Sequence, residues 1–171
     1  MGDKEEKLIE SFLKYMANLQ EFADNEWIPI REVPVGNDKN PYLIDCIIVR
    51  KDHVKEELFK LHAAQKHGIV KRYGRIRNAK DPIKANLKAG AEIWLLEAKT
   101  SKEKLWEAIG QILVYRELFL LDYPSTRING TIIILPKITV DSNINNGIER
   151  LAQKIGTIIK LIPLRYNKFV R

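Results

Sequence analysis

Two carboxylates and one ammonium group mark the places where this chain could do chemistry. Asp45 is the sole charge inside the apolar run "YLIDCIIV", residues 42–49. An unpaired carboxylate there is costly to bury, so Asp45 needs a partner. In "AEIWLLEAKT", residues 91–100, Glu97 and Lys99 stand two residues apart at the end of a strand-like segment. Side chains at that spacing share one face of a strand, while Trp94, Leu96 and Ala98 turn to the opposite layer. If the two strands are neighbours, Asp45 and Glu97 converge on one point. That arrangement binds Mg²⁺ through one or two acids, waters and a substrate phosphate. Lys99 beside it would orient or help deprotonate an attacking water and offset charge on a pentavalent phosphate. The plainer alternative is a salt bridge of Lys99 with Asp45 or Glu97 at a strand end.

The segment that follows, "EKLWEAIGQILVYRELF", adds Gln111 and Tyr115, four residues apart and therefore on one helical face, with Ala108 keeping that stripe open. An amide and a phenol turned toward the sheet could hold Lys99, a water or a phosphate by hydrogen bonds. An ordinary core tyrosine beside a surface glutamine is the competing reading.

Positioning these groups requires a particular order of elements. Residues 4–23 repeat Leu8, Ile9, Phe12, Leu13, Met16 and Leu19 at helical spacing. Residues 27–35 and 42–50 read as a hairpin across "GNDKN", with Pro29 and Pro34 pushing the first strand toward a sheet edge. Helices are expected at 53–67, capped by Asp52 and stopped by Gly68, and at 82–89, with Asp81 as cap, Pro82 at the first position and Gly90 beyond the end. A strand at 91–100, a helix at about 102–121, a strand at 130–136, a helix near 145–155 and a strand at 157–164 complete the chain. This is an α/β chain with an α+β-like mixed sheet: one domain over residues 1–171, with residues 51–90 inserted between the second and third strands.

Composition limits the function classes. The 171 residues suit one compact domain, and the single cysteine, Cys46, forbids an internal disulfide or a cysteine zinc site and suggests a reducing, intracellular (cytoplasmic) setting. No run approaches the roughly 20 apolar residues of a membrane helix. The net charge of +7 is concentrated: residues 50–90 hold twelve Lys or Arg against four Asp or Glu, so this block is +8 and the remainder −1. Such a block suits a polyanion, with Lys66, Lys71, Arg72, Arg75, Arg77 and Lys80 as candidate nucleic-acid contacts, although charge runs often only face water. His53, His62 and His67 lie in the same block, and the step from 62 to 67 does not put two imidazoles on one helical face. There is no phosphate-cradling glycine loop, dinucleotide fingerprint or nucleophile elbow.

Asp45 in a strand, then Glu97-Ala98-Lys99, then Gln111 and Tyr115 resemble the PD-(D/E)xK phosphodiesterase superfamily, in the branch with a QxxxY helix. The resemblance covers about residues 4–136. It implies a restriction-endonuclease-like α-β-β-β-α-β core and a nuclease using Mg²⁺ or Mn²⁺ on nucleic acid, DNA favoured over RNA. Asp45 and Glu97 would be metal ligands, Lys99 the catalytic lysine, and Gln111 and Tyr115 supporting active-site residues. The family often adds a glutamate from the first helix; Glu5 faces the apolar stripe best, with Glu6 and Glu10 as alternatives. Ile44 stands where the family nominally has Pro. The 51 residues between Asp45 and Glu97 exceed the short turn usual there, and the basic insertion accounts for them. If the strand reading fails, Asp52 or Asp81 becomes the partner carboxylate. A homodimer is compatible with this reading. A non-catalytic nucleic-acid-binding protein with a nuclease-like fold is the alternative function.

Overall fold

A computed structural model describes residues 3–23, 26–58, 80–137 and 150–162. Its centre is a five-stranded sheet in the order β1 (Trp27–Val35), β2 (Tyr42–Arg50), β3 (Ala91–Ala98), β4 (Thr126–Pro136) and β5 (Thr157–Ile162). The β1–β2 and β2–β3 pairs are antiparallel, whereas β3–β4 and β4–β5 are parallel. Helix α1 (Asp3–Met16) covers one face with Leu8, Ile9 and Phe12 against Cys46, Ile48, Leu96 and Ile132. Helix α3 (Leu105–Asp122) covers the other with Ile112, Tyr115 and Phe119 among Ile47, Val49, Ile93, Leu95 and Ile133. A shorter helix, α2 (Lys80–Asn86), precedes β3. Antiparallel strands feeding into helix-linked parallel ones give the mixed α/β architecture that the sequence pattern implies. No helix among the described residues is long and apolar enough to cross a membrane.

β1 is an edge strand, where its prolines cost least, because a missing N–H on the open side breaks no ladder. Several boundaries differ from the sequence reading. α1 stops at Met16: Leu19 takes an extended backbone, and a 3-10 turn at Gln20–Phe22 returns Phe22 to the same core, so apolar spacing outlasts the helix. Asp52 caps no helix; its carboxylate is bonded by the Arg50 guanidinium, and the chain from 51 to 53 is a 3-10 turn. α2 begins at Lys80, which puts Asp81 and Pro82 inside its first turn, and Leu87 leaves it to bridge Val54. β3 closes at Ala98, two residues earlier than read. β4 begins at Thr126, four residues earlier, with a register shift opposite Ile93/Trp94. Gly130 follows that shift under the Trp94 ring, which a Cβ would meet at 2.4 Å, so only glycine fits there.

The insertion leaves the sheet through a closed neck. Lys55 N donates to Asn86 O at 2.9 Å, Lys88 N donates to His53 O at 2.9 Å, and Val54 bridges Leu87 between them. The neck brings the chain back so that β3 lies beside β2 despite the long separation in sequence.

Candidate active site

The hairpin changes face at the level of Asp45. On β1 the residues packed toward α3 are Ile28 and Ile30, then Val33 and Val35; on β2 they are Val49 and Ile47, then Ile44. The alternation slips by one residue on both strands between Arg31↔Cys46 and Val33↔Ile44, which places Glu32 opposite Asp45. Glu32 takes a positive φ of 52°, a left-handed conformation that costs a non-glycine residue about 1 kcal/mol. Beyond this twist β2 no longer pairs with β3: the ladder runs from Val49↔Ile93 to Cys46↔Leu96 and ends. The next pair would be Asp45 and Glu97. Instead, the Asp45 carboxylate accepts the Ala98 N–H at 2.8 Å, which satisfies the backbone donor that the broken ladder leaves behind. Asp45 therefore has the neighbour its burial demands, and Asp52 and Asp81 do not take its place: Asp52 pairs with Arg50 and Asp81 is solvent-exposed on α2.

Lys99 completes the cluster. Its Nζ lies 2.9 Å from Glu97 Oε1 and 3.6 Å from Glu107 Oε1, and both Glu97 and Lys99 are buried. Among the described residues, no hydrogen-bond partner reaches the second carboxylate oxygen of Glu97, Oε2, or Gln111 Oε1, and both atoms are buried. Tyr115 is buried with its ring centroid 6.1 Å from that of Tyr42, and its hydroxyl feels the charge of both Glu97 and Asp45.

These surroundings set the charge states. Burial raises the Asp45 carboxyl to about 6, opposed by the Ala98 N–H and Lys99 and reinforced by Glu5. Burial raises Glu97 further, to about 8, helped by the neighbouring Asp45 charge and by Glu5 and opposed by Lys99. Burial disfavours the Lys99 ammonium, but hydrogen bonding to Glu97 and the charges of Glu97, Asp45 and Glu107 more than offset it, so Lys99 stays cationic. Burial, then the negative field of Glu97 and Asp45, keeps the Tyr115 phenol protonated. The site thus holds two carboxyls that bind protons more tightly than ordinary ones, beside one ammonium.

Of the other residues singled out in the sequence, Glu5 is close enough for its charge to act on both Asp45 and Glu97, while Glu6 is half-buried and Glu10 exposed on α1. Lys80 sits in a different place: its ammonium is bonded to Gly36 O and lies 3.0 Å from both Asp38 and Asp122. Lys66, Lys71, Arg72, Arg75, Arg77, His62 and His67 lie outside the described residues. His53 accepts the Glu92 N–H on Nδ1 at 3.0 Å at the opposite end of β3. Glu107 escaped the sequence reading, although a signal existed: it stands four residues before Gln111, so Glu107, Gln111 and Tyr115 form one line along α3.

Among the described residues, no three His, Cys, Asp or Glu side chains form a ready metal cluster. Two carboxylates converging beside an unsatisfied buried oxygen still fit a hard divalent cation, because Mg²⁺ needs only one or two protein acids and takes its other ligands from water and phosphate. Among the described residues, neither cysteine nor histidine joins these carboxylates: Cys46 is buried on the α1 side of the sheet and His53 lies at the opposite end of β3. Comparison of the chain with protein-family models, with curated proteins and with solved structures finds no match.

Proposed function

We propose that the chain is a metal-dependent nuclease of the PD-(D/E)xK type, with a restriction-endonuclease-like core, that hydrolyses phosphodiester bonds of nucleic acid, DNA before RNA. The observation that supports this reading most is the meeting of Asp45, Glu97 and Lys99 where β2 and β3 part, beneath the line of Gln111 and Tyr115. Asp45 and Glu97 are the residues that would hold Mg²⁺ or Mn²⁺, which when bound would supply Lewis acidity toward a phosphate oxygen and lower the pKa of water.

The chain's own groups supply the rest. Lys99 carries a fixed positive charge in a site of low dielectric, where it counters the negative charge that grows on a phosphate under attack. Tyr115 is held neutral, so its hydroxyl is a donor, and the Gln111 amide offers both a donor and an unsatisfied acceptor. The basic insertion, anchored by its neck beside the same strands, supplies positive charge for a polyanion. The buried cysteine suits a reducing, cytoplasmic setting.

The test is cleavage of labelled single-stranded, double-stranded and branched DNA, and of RNA, with Mg²⁺, Mn²⁺ or EDTA. Wild type should cut with metal and not with EDTA, and Glu97→Ala and Lys99→Ala should each abolish cutting. Salt-sensitive binding with no cutting would replace this reading with that of a non-catalytic nucleic-acid-binding protein.

A further inference from the structure

Glu107 has no place in the Asp45, Glu97, Lys99, Gln111 and Tyr115 pattern, yet among the described residues it is the second carboxylate at ion-pair distance from Lys99, while Asp45 acts on the ammonium only through its field. The two partners differ sharply. Glu97 is buried, 2.9 Å from the ammonium, and is itself one of the two carboxylates available to a cation; Glu107 is 55% exposed, 3.6 Å away, on the neighbouring helix. A divalent cation on Glu97 competes with Lys99 for the same carboxylate and repels the ammonium. Removing Lys99 from Glu97 without a new partner would leave a cation stranded in a buried site, which is costly. Lys99 has three donors on a flexible stem and Glu107 lies on its open side, so the ammonium can turn from one glutamate to the other while keeping a charge-assisted contact.

We propose that Glu107 is a positioning residue for Lys99: it receives the ammonium when Glu97 engages a divalent cation, and holds it at the exposed mouth of the site, facing incoming phosphate. This rests on the reading of Asp45 and Glu97 as a cation site. Glu107 is assigned no direct bond to the cation. It promotes cation binding only through Lys99, and that dependence can be measured.

The experiment is a calorimetric titration of Mn²⁺ into the full chain in four forms: wild type, Glu107→Gln, Lys99→Met and the double variant, with thermal melts confirming that each is folded. Glu107→Gln should weaken Mn²⁺ binding by roughly three- to tenfold. Lys99→Met should bind at least as tightly as wild type, and adding Glu107→Gln to it should change nothing further. Equal weakening in both backgrounds would overturn the proposal, since it would make Glu107 a ligand or a bulk electrostatic contributor; no weakening in the wild-type background would overturn it as well. Failure of wild type to bind Mn²⁺ at all would sink the cation site and this inference together. On a cleavable DNA, Glu107→Gln should lower kcat with KM nearly unchanged, and Glu107→Asp should restore part of the loss; a residue that only supports the fold would give neither result.

Discussion

Lys80 and Lys99 are two lysines in similar settings whose polar neighbours are matched to different degrees. Both are largely buried, and each lies between two carboxylates, Asp38 and Asp122 for Lys80, Glu97 and Glu107 for Lys99. Around Lys80 the polar groups are matched. The ammonium meets two acids at 3.0 Å and the Gly36 carbonyl, while Asp122 also accepts the Gly36 N–H at 2.7 Å. The result ties the β1–β2 turn to the start of α2 and the end of α3. Around Lys99 one acid is at contact distance and the other is not, a carboxylate oxygen has no partner among the described residues, and the Asp45 and Glu97 carboxyls are raised. A satisfied network fixes structure; one left partly unsatisfied is what the proposed cation site requires.

Removing each ammonium should separate the two roles. Lys99→Met should lower metal-dependent cleavage by roughly 100-fold or more while barely moving the melting temperature at pH 6, where Glu97 can remain protonated. Lys80→Met should do the reverse. It leaves Asp122 and the Gly36 carbonyl short of a donor, for a loss of about 2 kcal/mol, discounted because Asp38 is exposed. In a chain of this size that lowers the melting temperature by about 4–8 °C, with residual cleavage per folded molecule retained. If Lys80→Met abolished cleavage without loss of stability, the division between the two lysines would be wrong.

Acidity offers a smaller and finer test. The folded protein holds protons on Asp45 and Glu97 up to about 6 and about 8, whereas the unfolded chain releases them near the ordinary carboxyl range. The native state therefore binds more protons than the unfolded state across this window, so the contribution of these two groups to metal-free stability is full below about pH 4 and falls as pH rises toward about 8. Denaturant unfolding at pH 5, 6.5 and 8 would show the decline. Glu97→Gln should flatten most of it, and a stability that rose over that window would contradict the assignment.

Much of this was legible in the sequence because it depends on local periodicity. Glu97 and Lys99 two apart on a strand, and Gln111 and Tyr115 four apart on a helix, are placed by geometry alone once the elements form. The prolines of β1 likewise signal an edge. What escaped depends on the partner rather than on the chain's own pattern. Glu32 carries no mark of a left-handed backbone, since glycine or asparagine would be the usual sign, and its conformation makes sense only beside the twist that frees Asp45 from the ladder. Asp52 has the type and spacing of a helix cap, but Arg50 takes its carboxylate first. Lys80 was grouped with the basic block by sequence position, while its acids, Asp38 and Asp122, lie 42 residues away on either side. The helix face told where Gln111 would point; only the sheet beneath it showed that Glu107, one turn earlier, also reaches Lys99.

The central claim is that Asp45 and Glu97 together form a site for a divalent cation, and proton release tests it most directly. Mn²⁺ binding at pH 6.5 should be titrated by calorimetry in two buffers of different ionisation enthalpy. The account predicts that about one proton leaves the protein per cation bound, because Glu97 is still protonated at that pH, and that Glu97→Gln abolishes both the release and tight binding. Binding of Mn²⁺ with no proton released, or with undiminished affinity in Glu97→Gln, would contradict it.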